Sequence, residues 1–258
     1  MTTRIEPPIT QDKLFVWVMH RFAEVFEAHA VLKGGMVLRL LDSPRHTNHV
    51  DYVFVPYTSK KGIRDQVVGA LADLEGATTE VSMHSQMIRV ELSLDGESIL
   101  VEVTVAANCA TTAMTTGGFA RAAGQPPRVV RVMHLDTALA NKIAAWNERR
   151  LLRDLYDIYF LAARAQAKIE MNVLDARLAA VRSRLPKMRK VREMSREALA
   201  EELLDAVTTL EEASVNQQLR GLIPADELAG LVPRLAAAIS RLAMQLTTAQ
   251  HKRPTVPI

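Results

Sequence analysis

The apolar positions of this chain change their period four times. Over 12–30, Leu14, Phe15, Val18, Phe22, Val25 and Phe26 fall at helical spacing while Asp12, Lys13, Arg21, Glu24 and Glu27 lie largely elsewhere, which predicts a core-facing helix. A diglycine, Gly34-Gly35, then precedes a short apolar run (Met36, Val37, Leu38, Leu40, Leu41), read as a helix over about 35–42 that stops at Asp42-Ser43-Pro44. The β-branched and aromatic stretch 49–55 predicts a strand ended by Pro56. Ile63, Val67, Ala70, Leu71 and Leu74 restore the helical period over 61–75, with Gly76 as the stop.

Strand periodicity returns at 80–83, 87–94 and 99–105, and Asp95-Gly96 is a hairpin signal between the last two. Residues 106–128 hold small residues, Thr, Gly and two prolines without a period, and read as a loop, either lining a substrate cleft or running over the surface. After a last strand at 129–133 the pattern is helical throughout: 136–165, 171–184, 195–211 and 224–248, the last broken or kinked near Gly230 and Pro233. The expected fold class is therefore α+β, a small mixed sheet followed by an all-helical lobe. The two lobes are expected to divide into 1–134 and 135–258, framing a basic cleft.

Composition narrows the picture only slightly. With 258 residues and 48% hydrophobic content the chain can bury a sizeable core, and a formal charge of +3 permits a nucleic-acid partner without requiring one. Cys109 is the only cysteine, so no internal disulfide forms, and no Cys/His spacing suits a structural zinc site. The N-terminal segment is polar and proline-bearing and no apolar run is long enough to span a bilayer, so a cytoplasmic protein with no membrane partner is expected.

The candidate chemistry lies in the order glycine turn, helix, acidic strand. Backbone N–H groups at a glycine-rich helix start can hold phosphate oxygens, and residues two apart on the following strand, His49 and Asp51, point to one face where they can share a metal ion with that phosphate. Leu32-Lys33-Gly34-Gly35 with Arg45, Thr47 and Asp51-Tyr52-Val53-Phe54 resembles the AbiEii-type nucleotidyltransferases, a group that includes the MenT-like toxins. Leu139-Ala140-Asn141-Lys142-Ile143, followed by Arg149-Arg150-Leu151-Leu152-Arg153-Asp154-Leu155-Tyr156-Asp157, is similar to the Lys and Arg-Asp-x-x-Asp motifs of the same family.

The resemblance implies a metal-dependent transfer from an NTP, with magnesium or manganese as cofactor. It implies phosphate contacts from Lys33, Gly34, Gly35 and Met36, and a cation held by His49, Asp51 and Glu102. The family strand usually carries two acids one residue apart, so His49 is a departure, as is Met36 where many relatives have Ser or Thr. It further implies that Lys142 reaches the nucleotide phosphates and that Asp154 or Asp157 takes part in catalysis or orients that lysine. On a continuous helix, Asp154 and Asp157 share a face, Arg150 pairs with Asp154 and Arg153 with Asp157, and Lys142 sits three turns away.

The activity so implied is that of a toxin–antitoxin toxin adding nucleotides to RNA, as MenT-like relatives do on tRNA 3′ ends, with a cognate antitoxin that need not bind it directly. Two rivals are a degenerate enzyme that keeps nucleotide or RNA binding as a regulatory module, and a small-molecule nucleotidyltransferase. The stretch 182–196, crowded with Lys and Arg against a single Glu, could steer a polyanion or simply be a solvated loop, and Trp17 and Trp146 read as core.

Overall fold

The computed structural model describes residues 4–248, and these divide into two compact units between His134 and Leu135. In the first unit, helix α1 (Gln11–Phe26) opens on Thr10, whose hydroxyl accepts a hydrogen bond from the Lys13 N–H at 3.3 Å, with Asp12 in the first turn. Leu14, Phe15, Val16, Val18, Met19 and Phe22 are fully buried, so α1 hides more than a single stripe, while Val25 of the predicted stripe is exposed. The helix ends at Phe26, earlier than its periodicity implies, because a single 3₁₀ turn (Glu27–His29) leads into a strand absent from the sequence reading, β1 (Ala30–Lys33).

Next come α2 (Gly35–Leu40), β2 (His49–Phe54), α3 (Lys61–Leu71), β3 (Thr78–Met83), β4 (Ile88–Leu94) and β5 (Glu97–Val105). Residues 106–128 are not a plain loop. They hold β6 (Thr111–Thr115) and α4 (Gly117–Ala122), and β7 (Val129–Met133) closes the unit. A strand of three threonines, one alanine and one methionine carries no hydrophobic alternation, which is why its ladder with β7 is not visible in the sequence.

The sheet has seven strands in the order β3-β4-β5-β2-β1-β7-β6. Pairings β2–β5 and β1–β7 are parallel and the other four are antiparallel, so the sheet is mixed as expected. One face is apolar: Leu32, Tyr52, Phe54, Val90, Val101, Val103 and Val132 are buried there, and Phe22 of α1 meets Tyr52 and Phe54 at ring separations of 4.9 and 5.7 Å. Burying such side chains contributes about 1.5–3 kcal/mol each, so the face-to-helix contact is the main source of stability in this unit.

The opposite face carries the chemistry. Cross-strand partners project to the same side of a sheet, and successive registers line up Ser82, Arg89, Glu102, Asp51 and Lys33 as one rank across β3, β4, β5, β2 and β1.

The second unit is helical: α5 (Leu135–Arg149), α6 (Leu152–Tyr159) with a π-helical turn at Phe160–Arg164, α7 (Met171–Leu178), α8 (Arg196–Thr208), α9 (Glu212–Leu219), α10 (Ala225–Leu228) and α11 (Leu231–Thr248). The predicted break near Gly230 is present, with Gly230 at φ +64° between α10 and α11. The predicted helix 136–165 is instead two helices, because Arg150 turns to φ +56°. No helix of the described residues is long and apolar enough to cross a membrane.

Candidate active site

Gly34 has φ +74° and ψ −152°, a conformation that side-chain-bearing residues avoid, and this lets β1 turn directly into α2. The glycine serves a second purpose. A Cβ at Gly34 would overlap Asp51 Oδ2 and lie 3.0 Å from Asp51 Cγ, so the carboxylate occupies the space that the missing side chain leaves. Gly35 repeats the arrangement: its Cβ would overlap Arg45 Nη2 and lie 3.3 Å from Thr47 Oγ1. The Arg45 guanidinium is buried there and donates from Nη1 to the His46 carbonyl at 3.2 Å, while Thr47 Oγ1 accepts from the His49 N–H at 3.3 Å. The diglycine, Arg45, Thr47 and Asp51 thus form one packed group around the start of α2.

Lys33 faces Asp51 across the β1–β2 pair with Nζ 4.0 Å from Oδ1. Met36, the first residue after the diglycine, is fully buried. Glu102 is the Cα partner of Asp51 in the parallel β2–β5 ladder, so the two acids stand side by side. The sequence reading missed the neighbour that claims Glu102. Arg89 of β4 donates to Glu102 Oε1 from Nε at 2.9 Å and from Nη2 at 2.6 Å.

The predicted three-ligand cation site is therefore not assembled. Among the described residues no three His, Cys, Asp or Glu side chains come together as a metal cluster, and His49 lies one rank away, opposite Leu100 rather than an acid. Asp51 and Glu102 remain as two adjacent oxygen donors, one beside Lys33 and the other clamped by Arg89.

In the second unit the reversal at Arg150 changes the expected pairings. α6 folds back along α5, which brings Lys142 directly onto both aspartates: Nζ lies 2.5 Å from Asp157 Oδ2 and 3.8 Å from Asp154 Oδ1. Asp154 also takes two bonds from Arg149, Nη2 to Oδ1 at 2.7 Å and Nε to Oδ2 at 3.1 Å. The partner expected of Arg150 is corrected accordingly. Arg150 instead fastens the turn, donating from Nε to the Asn147 carbonyl at 3.1 Å, from Nη2 to Asn147 Oδ1 at 3.0 Å and from Nη1 to Glu202 at 2.9 Å, with its guanidinium 4.3 Å from the centre of the Trp146 ring. Asp154 and Asp157 are each 1% exposed, so this is an array of two buried acids held by a largely covered Lys142 and a half-exposed Arg149. It holds the Lys142 ammonium in a fixed place.

Two solved structures share the fold. JHP933 from Helicobacter pylori is 13% identical with a TM-score of 0.52, covering 93% of this chain and 94% of that one. MenT4, the nucleotidyltransferase toxin Rv2826c from Mycobacterium tuberculosis H37Rv, is 15% identical with a TM-score of 0.53, covering 94% of this chain and 89% of that one. The mixed sheet with its helical second unit is thus a fold of nucleotidyltransferase toxins. The family described as nucleotidyl transferase AbiEii toxin, type IV toxin–antitoxin system, matches residues 17–241, and the chain belongs to it. Among curated proteins none matches at a significant level.

Proposed function

We propose that this chain transfers a nucleotide from an NTP to RNA, with the tRNA 3′ end as acceptor, as the toxin of a pair whose cognate antitoxin need not touch it. The observation that carries the reading is the seating of the Asp51 carboxylate in the space left by Gly34. An acid pressed against a glycine turn at a helix start puts a negative oxygen donor beside backbone N–H groups, the pairing that a metal-bound triphosphate needs. Asp51 and Glu102 would hold magnesium, an ion that commonly takes one or two protein carboxylates and completes its shell with substrate phosphates and water. Bound there, the ion would neutralise triphosphate charge. Lys33 adds a cation on the same face. Within the second unit Asp157 and Asp154 fix Lys142, the lysine of the family motif.

His49 and the Arg89–Glu102 clamp favour a second reading, a chain that keeps nucleotide or RNA binding without turnover. The deciding experiment is transfer of label from each α-labelled NTP to total tRNA, with magnesium and with manganese, for wild type, Asp51→Ala and His49→Asp. Label that requires Asp51 supports the transferase. Silence of the wild type together with labelling by His49→Asp supports the disabled enzyme.

A further inference from the structure

Six arginines of the second unit are neutralised by acids, whereas Arg153, Arg220 and Arg241 are exposed at separate places without an ion pair to any described residue, and one segment gathers such cations together. Arg149 pairs with Asp154, Arg150 with Glu202, Arg177 with Glu148, Arg196 with Asp175, and Arg164 and Arg234 with Glu227. Arg182, Arg184, Lys187, Arg189, Lys190 and Arg192 are all exposed, and none of these six makes an ion pair with any described residue. The only acid among them is Glu193, itself exposed.

These cations do not ride on a loose excursion. The Val181 N–H donates to the Arg192 carbonyl at 2.9 Å and the Met194 N–H to the Leu178 carbonyl at 3.0 Å, which closes the segment at its base. Glu148 of α5 holds one side, accepting from the Arg182 N–H at 3.3 Å, while Ser183 Oγ donates to the Glu148 carbonyl at 2.6 Å. At the tip, a 3₁₀ turn (Pro186–Met188) drives Met188 into the unit, where its sulfur lies 3.8 Å from Arg150 Nη2. The loop is therefore anchored by its base, one flank and its tip, and every side chain it leaves outside as a full charge but one is a cation.

We infer that the loop of residues 181–194 is the docking surface for the phosphate backbone of the RNA acceptor, an inference that rests on the reading of this chain as a transferase to RNA. Fixed, unneutralised cations are what a polyphosphate backbone requires, since binding releases its condensed counterions and needs no shaped apolar contact. The loop has no aromatic side chain on which a base could stack, so it reads charge and spacing and not sequence. Its apolar residues are turned inward: Met188 is buried and Leu185 and Val191 are half-buried, so it lacks both the apolar wedge of a membrane-binding segment and the apolar centre of a protein interface.

The test uses the full chain, fluorescently labelled total tRNA and potassium chloride from 50 to 200 mM. In Arg184→Gln/Lys187→Gln/Arg189→Gln/Lys190→Gln the affinity at the lowest salt is expected to fall about tenfold or more. The slope of log affinity against log salt should become shallower by about 3, at roughly 0.7–0.9 per phosphate contact removed. The control Lys61→Gln/Arg121→Gln/Arg241→Gln, which removes exposed cations elsewhere, should change neither quantity appreciably. Equal affinity and equal slope in the loop variant and wild type overturns the inference, as does a control that falls equally far or a wild type that binds no RNA. Loop-dependent RNA binding in a wild type that transfers no label supports the docking surface while removing the transferase reading. Unchanged thermal unfolding of both variants confirms that charge, and not folding, is being read.

Discussion

Lys142→Met removes a cation from both Asp157 and Asp154, and its consequence can be sized from the geometry. Asp154 keeps both bonds from Arg149, at 2.7 and 3.1 Å, while Asp157, 1% exposed, loses the Nζ that faces its Oδ2 at 2.5 Å. Removing one partner from a buried ion pair typically costs 3–5 kcal/mol, because the remaining charge has lost both water and its counter-charge. Retention of Arg149 on the neighbouring acid puts the expectation at the low end, about 3 kcal/mol. The assay is urea unfolding in a Trp17→Phe background, where fluorescence reports Trp146, one helical turn from Lys142 and buried in the same unit. Lys142→Met/Asp157→Leu removes both charges together and should recover at least 1 kcal/mol or so relative to the sum of the single changes. Nucleotidyl transfer should stay lost in the double variant, since the lysine is still absent. A loss below about 0.5 kcal/mol for Lys142→Met, or strict additivity in the double variant, refutes the buried array as a coupled unit.

His20 on α1 is buried with its Nε2 3.0 Å from Thr116 Oγ1, and desolvation, helped by the nearby Arg128 charge, lowers its pKa from 6.5 to about 4. The unfolded chain therefore binds a proton that the native chain refuses between those values, so stability should fall as pH drops from 6.5 to 4, by about 3 kcal/mol in all. In His20→Gln this component of the pH dependence of urea midpoints should vanish, and parallel profiles would count against a buried neutral imidazole. Gly34→Ala combines a positive φ of +74° with displacement of the Asp51 carboxylate. It should cost about 1–3 kcal/mol in unfolding free energy and abolish label transfer, whereas Gly118→Ala, with nothing within 4 Å of the added Cβ, should leave transfer intact. Arg150→Ala removes the fastening between Trp146, Asn147 and Glu202 and should lower the unfolding midpoint of the second unit, by about 2 kcal/mol for the buried packing and hydrogen bonds lost. An unchanged midpoint would mean that the turn stands without its guanidinium.

The parts legible in the sequence are those whose cause is local. The apolar stripe from Leu14 to Phe26 announces α1, Asp95-Gly96 announces the β4–β5 hairpin, and Gly230 announces the gap before α11. Asp51 and Asp157 were also readable as candidates, since an acid in an apolar strand and an acid pair at helical spacing are visible in a line of letters. The Arg89–Glu102 clamp was readable in principle: the two-residue turn pairs Leu94 with Glu97, and five residues outward from each lie Arg89 and Glu102.

Other features have no local signal. β1 is four residues long and follows a helix without a break in hydrophobicity, and β6 is defined by its ladder to β7 alone. The reversal at Arg150 uses neither Gly nor Pro, so nothing marks it; the left-handed backbone is held by partners at Trp146, Asn147 and Glu202. Missing that turn is what separated Lys142 from the aspartates it touches.

The Arg150 fastening also sets an order of events during synthesis. Lys142, Asp154 and Asp157 leave the ribosome close together, but the Glu202 carboxylate that holds Arg150 follows it by 52 residues. At elongation rates of about 5–20 residues per second that interval is roughly 3–10 s. A nascent chain therefore carries all three charged groups for seconds before the clasp that locks α6 against α5 can close, and a chain truncated before Glu202 never closes it.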